Sequence, residues 1–165
     1  EMFQRYHLEY HLSDAFYSDP DHYMVGLHFD EAVYAPLYFG YGMDGIYGDR
    51  GRYFGRIEHR IMRAAPDTVL VLVKAAPDVI AGRMKADPHE NQVIKEADID
   101  LVLRRFEEEY ERSLINNKFT IDTSTATPEE CVAEFLEKYE PFMTVPDRTR
   151  ILVHEARQRD KWLPA

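Results

Sequence analysis

Residues 66–128 carry two kinds of apolar run in an order that few folds accommodate. Pro66-Asp67 leads into Thr68-Val69-Leu70-Val71-Leu72-Val73, an unbroken aliphatic stretch. It predicts a strand over 68–74, buried on both faces of a parallel sheet. Pro77 then opens a helix running through Met84, because a first-turn proline loses no needed N–H. Residues 85–95 are polar, contain Pro88 and His89, and read as a loop. From Ala97 to Leu114 the apolar side chains Ile99, Val102, Leu103, Phe106, Tyr110 and Leu114 recur on one helical face. A second short strand, 118–122, ends in Asp122. Thr127-Pro128-Glu129-Glu130 next spells a helix start, with Thr127 as N-cap, Pro128 at N1 and Glu130 at N3. That helix continues to about Tyr139. Strands separated by helices predict an α/β layered domain, a parallel sheet flanked by helices.

The flanks are less regular. Helical spacing over 2–17 is closed by Ser18-Asp19-Pro20-Asp21. Tyr23 to Phe29 is short and mostly apolar, which predicts a buried strand ending in the carboxylates Asp30 and Glu31. Glu31 to Phe39 is expected to be helical, limited by Pro36. Six of the chain's eight glycines fall between Gly40 and Gly55, interleaved with tyrosines and with Arg50 and Arg52. This segment is expected to be a mobile loop, followed by a helix from about Tyr53 to Ala64. After Pro141 and Pro146 a short helix is expected from Asp147 to about Asp160. The whole chain, 1–165, is read as a single domain, with 140–165 a C-terminal helical extension.

A length of 165 residues suits one compact domain with a real core. The net charge of −10 argues against a broad nucleic-acid or anionic-membrane surface, either of which needs clustered cations. Small phosphorylated ligands need only a few local Arg or Lys and remain compatible. The single cysteine, Cys131, lies among apolar helix positions and is expected to be core, in a reducing compartment with cytoplasm the default. No run of about 18 apolar residues predicts a membrane span. The chain opens at Glu1 rather than Met, and a truncated N-terminus is expected.

The order strand, Pro77-Asp78-Val79-Ile80-Ala81-Gly82-Arg83-Met84, charged helix, then Ile121-Asp122-Thr123-Ser124-Thr125-Ala126-Thr127-Pro128 resembles the C-terminal part of the P-loop nucleoside and nucleotide kinases, the thymidylate kinase and deoxynucleoside kinase group. The loop G-x-x-x-x-G-K-[ST] that would hold donor phosphates occurs nowhere in the 165 residues. The resemblance therefore implies a P-loop kinase-like three-layer domain that is N-terminally incomplete. It implies ATP and Mg²⁺ as cofactors, and a nucleoside, nucleoside monophosphate or similar small molecule as phosphate acceptor. Asp30 matches the family's acid and would organise Mg²⁺ or accept a proton; it is equally readable as a helix cap. Glu31 stands where the family carries arginine and would contribute to the substrate side. Arg83 matches the first lid cation, or else partners a helix dipole. Lys85 and Lys95 flank the lid loop. Thr123, Ser124, Thr127 and Pro128 would line the donor adenine, while Tyr34, Tyr38, Arg50 and Arg52 would sit on the acceptor side. A homodimer is compatible with the sequence, and the charge balance leaves neither nucleic acid nor membrane as an expected partner. The rival expectation is a non-catalytic kinase-like module that binds a nucleotide or a protein.

Three further patterns lead elsewhere. Gly40-Tyr41-Gly42-Met43-Asp44-Gly45 satisfies G-x-G-x-x-G, but it neither follows a clear strand nor opens a helix, so dinucleotide mechanics fail. His7, His11 and Asp14 share a helical face without any supporting ligand pattern. Arg52, Arg56, Arg60 and Arg63 repeat at helical spacing beside Glu58, which reads as a solvated stripe.

Overall fold

A computed structural model describes residues 23–42, 50–88 and 93–159, with side chains from residue 53 onward in the second segment. The expected helix over 2–17, with His7, His11 and Asp14, lies outside the described residues. So do residues 43–49 and 89–92.

The described chain is mostly helical, with a small two-stranded parallel sheet flanked by helices. Helix α1 spans His28–Tyr34 and runs into a π-helical segment, Ala35–Phe39. Helices α2 (Arg50–Ala64), α3 (Pro77–Ala86), α4 (Ile99–Arg112), α5 (Pro128–Tyr139) and α6 (Val145–Arg159) follow, with strands β1 (Leu70–Lys74) and β2 (Lys118–Asp122) before α3 and α5. β1 and β2 pair in parallel, with Leu70 opposite Lys118 and Lys74 opposite Asp122. Side chains alternate across the pair. Phe119 turns toward α5 and meets Phe135 with ring centroids 5.8 Å apart. On the other face Lys74 reaches Glu107 of α4 at 3.2 Å.

The strand expected over Tyr23–Phe29 is not formed. Gly26 and Leu27 both take positive φ, 75° and 47°, which folds the chain sharply and starts α1 at His28. Leu27 bears that cost, disfavoured for a branched side chain, because it packs against the core cluster Phe54, Ile57 and Ile61. Asp30 therefore stands in the first turn of a helix and not at a strand tip. Pro36 interrupts the α-helical ladder as expected, and the wider π turn absorbs its missing N–H. The expected loop over 40–55 is shortened, since α2 already begins at Arg50.

β1 starts two residues later than expected. Thr68 instead closes a turn, donating its N–H and its hydroxyl to the Ala65 carbonyl. Burial on both faces does not hold either, as Val73 is 61% exposed. Cys131 is half-buried, short of the core position expected for it. The Thr127 capping box is present in full: Thr127 Oγ1 accepts from the Glu130 N–H, and the Glu130 carboxylate accepts from the Thr127 N–H. An equivalent exchange between Thr144 and Asp147 starts α6 at Val145, ahead of the expected Asp147. Among the described residues no helix is long and apolar enough to cross a membrane.

Candidate functional site

In open α/β sheets ligands gather outside the carboxyl ends of parallel strands, and that end of β1 and β2 is knotted by side chains. Thr123 N donates to the Lys74 carbonyl at 2.8 Å, extending the strand pair by one bond. The Thr123 hydroxyl donates to the same carbonyl at 3.2 Å. It also accepts from Arg83 Nη1 at 3.0 Å, while Arg83 Nη2 donates to the Thr123 carbonyl at 2.7 Å. Ser124 mirrors this: its hydroxyl accepts from the Ala76 N–H at 2.8 Å and donates to Asp122 Oδ1 at 2.5 Å. The Ser124 N–H adds a second bond to that carboxylate at 2.8 Å. These Ser124 donors, side chain first, hold the Asp122 carboxyl below the usual aspartate range.

Arg83, Thr123 and Ser124, three residues chosen from sequence, are thus brought together. Arg83 fastens the loop after β2 to helix α3. Thr127 and Pro128 follow at the α5 start, with Thr127 committed to its capping box. Lys85 makes an exposed ion pair with Glu96 at 2.8 Å.

A second group forms where α1 meets α4. The Tyr38 hydroxyl donates to Asp98 at 3.1 Å, and Lys95 lies in the turn just before Asp98. Tyr34 packs edge-on against Phe106, centroids 5.5 Å apart. Burial, then the nearby Asp30 and Tyr38, push its pKa up to about 12. The Tyr41 hydroxyl donates to Glu31 at 3.2 Å. Asp30 folds its carboxyl back against the α-carbon of Gly26, where any Cβ would collide with it. Burial and the adjacent Glu31 raise the Asp30 pKa above the usual value. Arg50 and Arg52 lie in the first turn of α2, with side chains outside the described part. Asp30 and Arg83 consequently belong to different groups, one on α1 and one at the strand ends. Among the described residues no three His, Cys, Asp or Glu side chains converge as a metal cage.

The constellation that sequence reasoning missed is buried. Glu58 is 5% exposed and His28 3%. Glu58 Oε1 lies 3.1 Å from His28 Nε2 and accepts from the Ser113 hydroxyl at 2.7 Å, while Oε2 accepts from the Leu114 N–H at 2.6 Å. Burial works to raise the Glu58 pKa, yet the His28, Leu114 and Ser113 hydrogen bonds outweigh it and hold the group below the usual glutamate range. Histidine, glutamate and serine are the residue types of a hydrolytic triad, but the order is wrong for one. The imidazole must sit between acid and hydroxyl to take the proton, and here the carboxylate is in the middle. The arrangement joins α1, α2 and the α4–β2 connection. Its signal was readable: Phe54, Ile57, Glu58 and Ile61 share one helical face, so Glu58 falls on the apolar side of α2.

No protein-family model, curated protein or solved structure matches this chain.

Proposed function

We propose that this chain is the nucleotide-binding part of an ATP-dependent phosphotransferase acting on a nucleoside, nucleoside monophosphate or similar small molecule. The observation that supports it is the parallel β1–α3–α4–β2 unit, with the Thr123–Thr127 loop tied across its carboxyl end by Arg83 and Ser124. A loop so fixed offers a preorganised wall for a base, and Thr123, Ser124, Thr127 and Pro128 supply it. Arg83 spends two of its five N–H donors on Thr123, leaving three for phosphate oxygens. Bound Mg²⁺ would neutralise developing phosphate charge, and it needs only one or two carboxylates because it keeps several waters. Asp30, with Glu31 beside it, is the carboxylate available for that role. Tyr34, Tyr38, Arg50 and Arg52 form the acceptor side, and Lys85 and Lys95 border the lid.

The position of Asp30 in a helical turn, folded against Gly26, favours a second reading: a non-catalytic module that keeps a kinase-like nucleotide wall. Equilibrium dialysis of ATP with and without Mg²⁺ separates the two. Phosphotransferase ancestry predicts ATP binding that Arg83→Ala weakens about tenfold, the worth of one charge-assisted hydrogen bond. It also predicts that Mg²⁺ tightens binding and that Asp30→Asn abolishes this gain. Binding indifferent to Mg²⁺ and to Asp30→Asn supports the module. No binding up to about 5 mM ATP sinks both.

A further inference from the structure

Helix α6 stands out from the rest of the fold. Every residue from Val145 to Arg159 is exposed except Asp147 and Ala156, and the helix makes no extensive contact with another element. Val145, Leu152 and Val153 are 77%, 62% and 45% exposed. A lone helix of about 15 residues is marginal in water, and its stability ordinarily comes from packing an apolar face. The take-off of α6 is nevertheless fixed, because Arg148 holds both the carboxylate and the carbonyl of Glu140. One side of the helix carries a shallow depression lined by Thr149, Arg150, Val153, His154 and Arg157. This is an apolar centre flanked by cations on a chain whose net charge is −10.

The complementary surface lies on α5. Glu129, Val132, Ala133, Leu136 and Glu137 are all exposed and recur at i, i+3, i+4, i+7 and i+8, one face of the helix. Val132 and Leu136 remain 57% and 52% exposed. Glu130 and Glu134 are occupied, the first by the capping box and the second by Lys138 at 2.6 Å. Glu129, Glu137 and Arg157 hold no hydrogen bond or ion pair with another described residue. Each face has an exposed apolar centre and the two oppose each other in charge, yet α5 and α6 make no extensive contact within the chain.

We propose that α6 docks on the α5 face of a second copy of this chain, giving a reciprocal dimer with two identical α5–α6 contacts. Each contact buries Val132 and Leu136 against Val153 and Thr149, with Glu129 and Glu137 beside Arg157 and beside Arg150, which also holds Asp147 of its own helix at 2.6 Å. Two-fold closure requires such self-complementary surfaces. Opposed charges at the rim make association salt-sensitive.

Sedimentation equilibrium of the full chain tests this. The wild type forms a reversible dimer that loosens as salt is raised. Glu129→Arg/Glu137→Arg makes both faces basic, and Arg150→Glu/Arg157→Glu makes both acidic, so each variant alone sediments as monomer. Mixed together they form a heterodimer, because both contacts become complementary again. Circular dichroism confirms that each variant retains its helices. Leu136→Ser removes apolar contact without touching a charge, and it weakens the wild-type dimer about tenfold. A wild type that stays monomeric at about 100 μM, variant chains that fail to pair on mixing, or a dimer indifferent to Leu136→Ser would each overturn the proposal. A monomeric wild type would leave the two faces to solvent or to a different protein.

Discussion

The Glu58 carboxylate and the His28 imidazole meet at 3.1 Å inside the core, across 30 residues of sequence, and Glu58 is the only buried acid among the described residues. Because two more donors, Ser113 Oγ and Leu114 N, converge on the same carboxylate, three segments are held by one side chain. Its removal leaves the buried His28 and the part-buried Ser113 and Leu114 donors without their acceptor. Glu58→Ala is therefore expected to cost roughly 3–5 kcal/mol, and Ser113→Ala only about 1 kcal/mol. Urea unfolding measures both; equal costs would deny Glu58 its central place.

The same carboxylate fixes a pH dependence. The folded-state pKa of Glu58 is lowered, so its contribution is present above the unfolded value near about 4.3 and lost as pH falls through the folded pKa. Unfolding free energy should decline on acidification below the unfolded value, and Glu58→Gln should flatten that decline. Identical profiles for the two proteins would contradict the assignment.

Asp30 carries the opposite sign. Its folded pKa is raised by burial and by Glu31, so its stabilising share is present below the unfolded aspartate pKa and is lost as pH rises through the folded value. Asp30→Asn is expected to make the protein as stable or more stable at pH 7, and to leave acid stability unchanged. A destabilised Asn variant at pH 7 would show that the charged carboxylate has a favourable partner. Gly26→Ala, by contrast, forces a methyl into the Asp30 carboxyl at positive φ and should destabilise at every pH.

Much of residues 66–142 was legible because local chemistry and tertiary packing agree there. The amphipathic period of α4, the proline at the α3 start and the Thr127–Glu130 box each encode their own element. Parallel pairing of β1 and β2 followed from the helices between them. The segment 23–30 reads as a strand in sequence because a short apolar run fits a strand or a buried helix equally well. The deciding factors, strain at Leu27 and burial of His28 against Glu58, are long-range. The sequence singles out Arg83, but its bonds to Thr123 depend on the closeness of β1 and β2, which spacing alone does not reveal. The exposure of Val73 was likewise hidden, since an aliphatic run does not say how many strands cover it.

If Arg83 holds the loop after β2, Arg83→Ala should release it. Amide hydrogen exchange is expected to rise over 123–127 by about tenfold, for two lost charge-assisted bonds at an exposed site. Exchange in α4 should not change. An unaltered loop would mean that Ser124 and the strand ladder alone set its order.

What occupies the carboxyl end of the strand pair decides the proposed function, and amide chemical shifts read that directly. On titrating ATP with Mg²⁺ into the labelled chain, the proposal predicts saturable shifts at Thr123, Ser124 and the first turn of α5, together with the Arg83 side-chain N–H signals. Shifts confined to other surfaces, or none at saturating nucleotide, would contradict it.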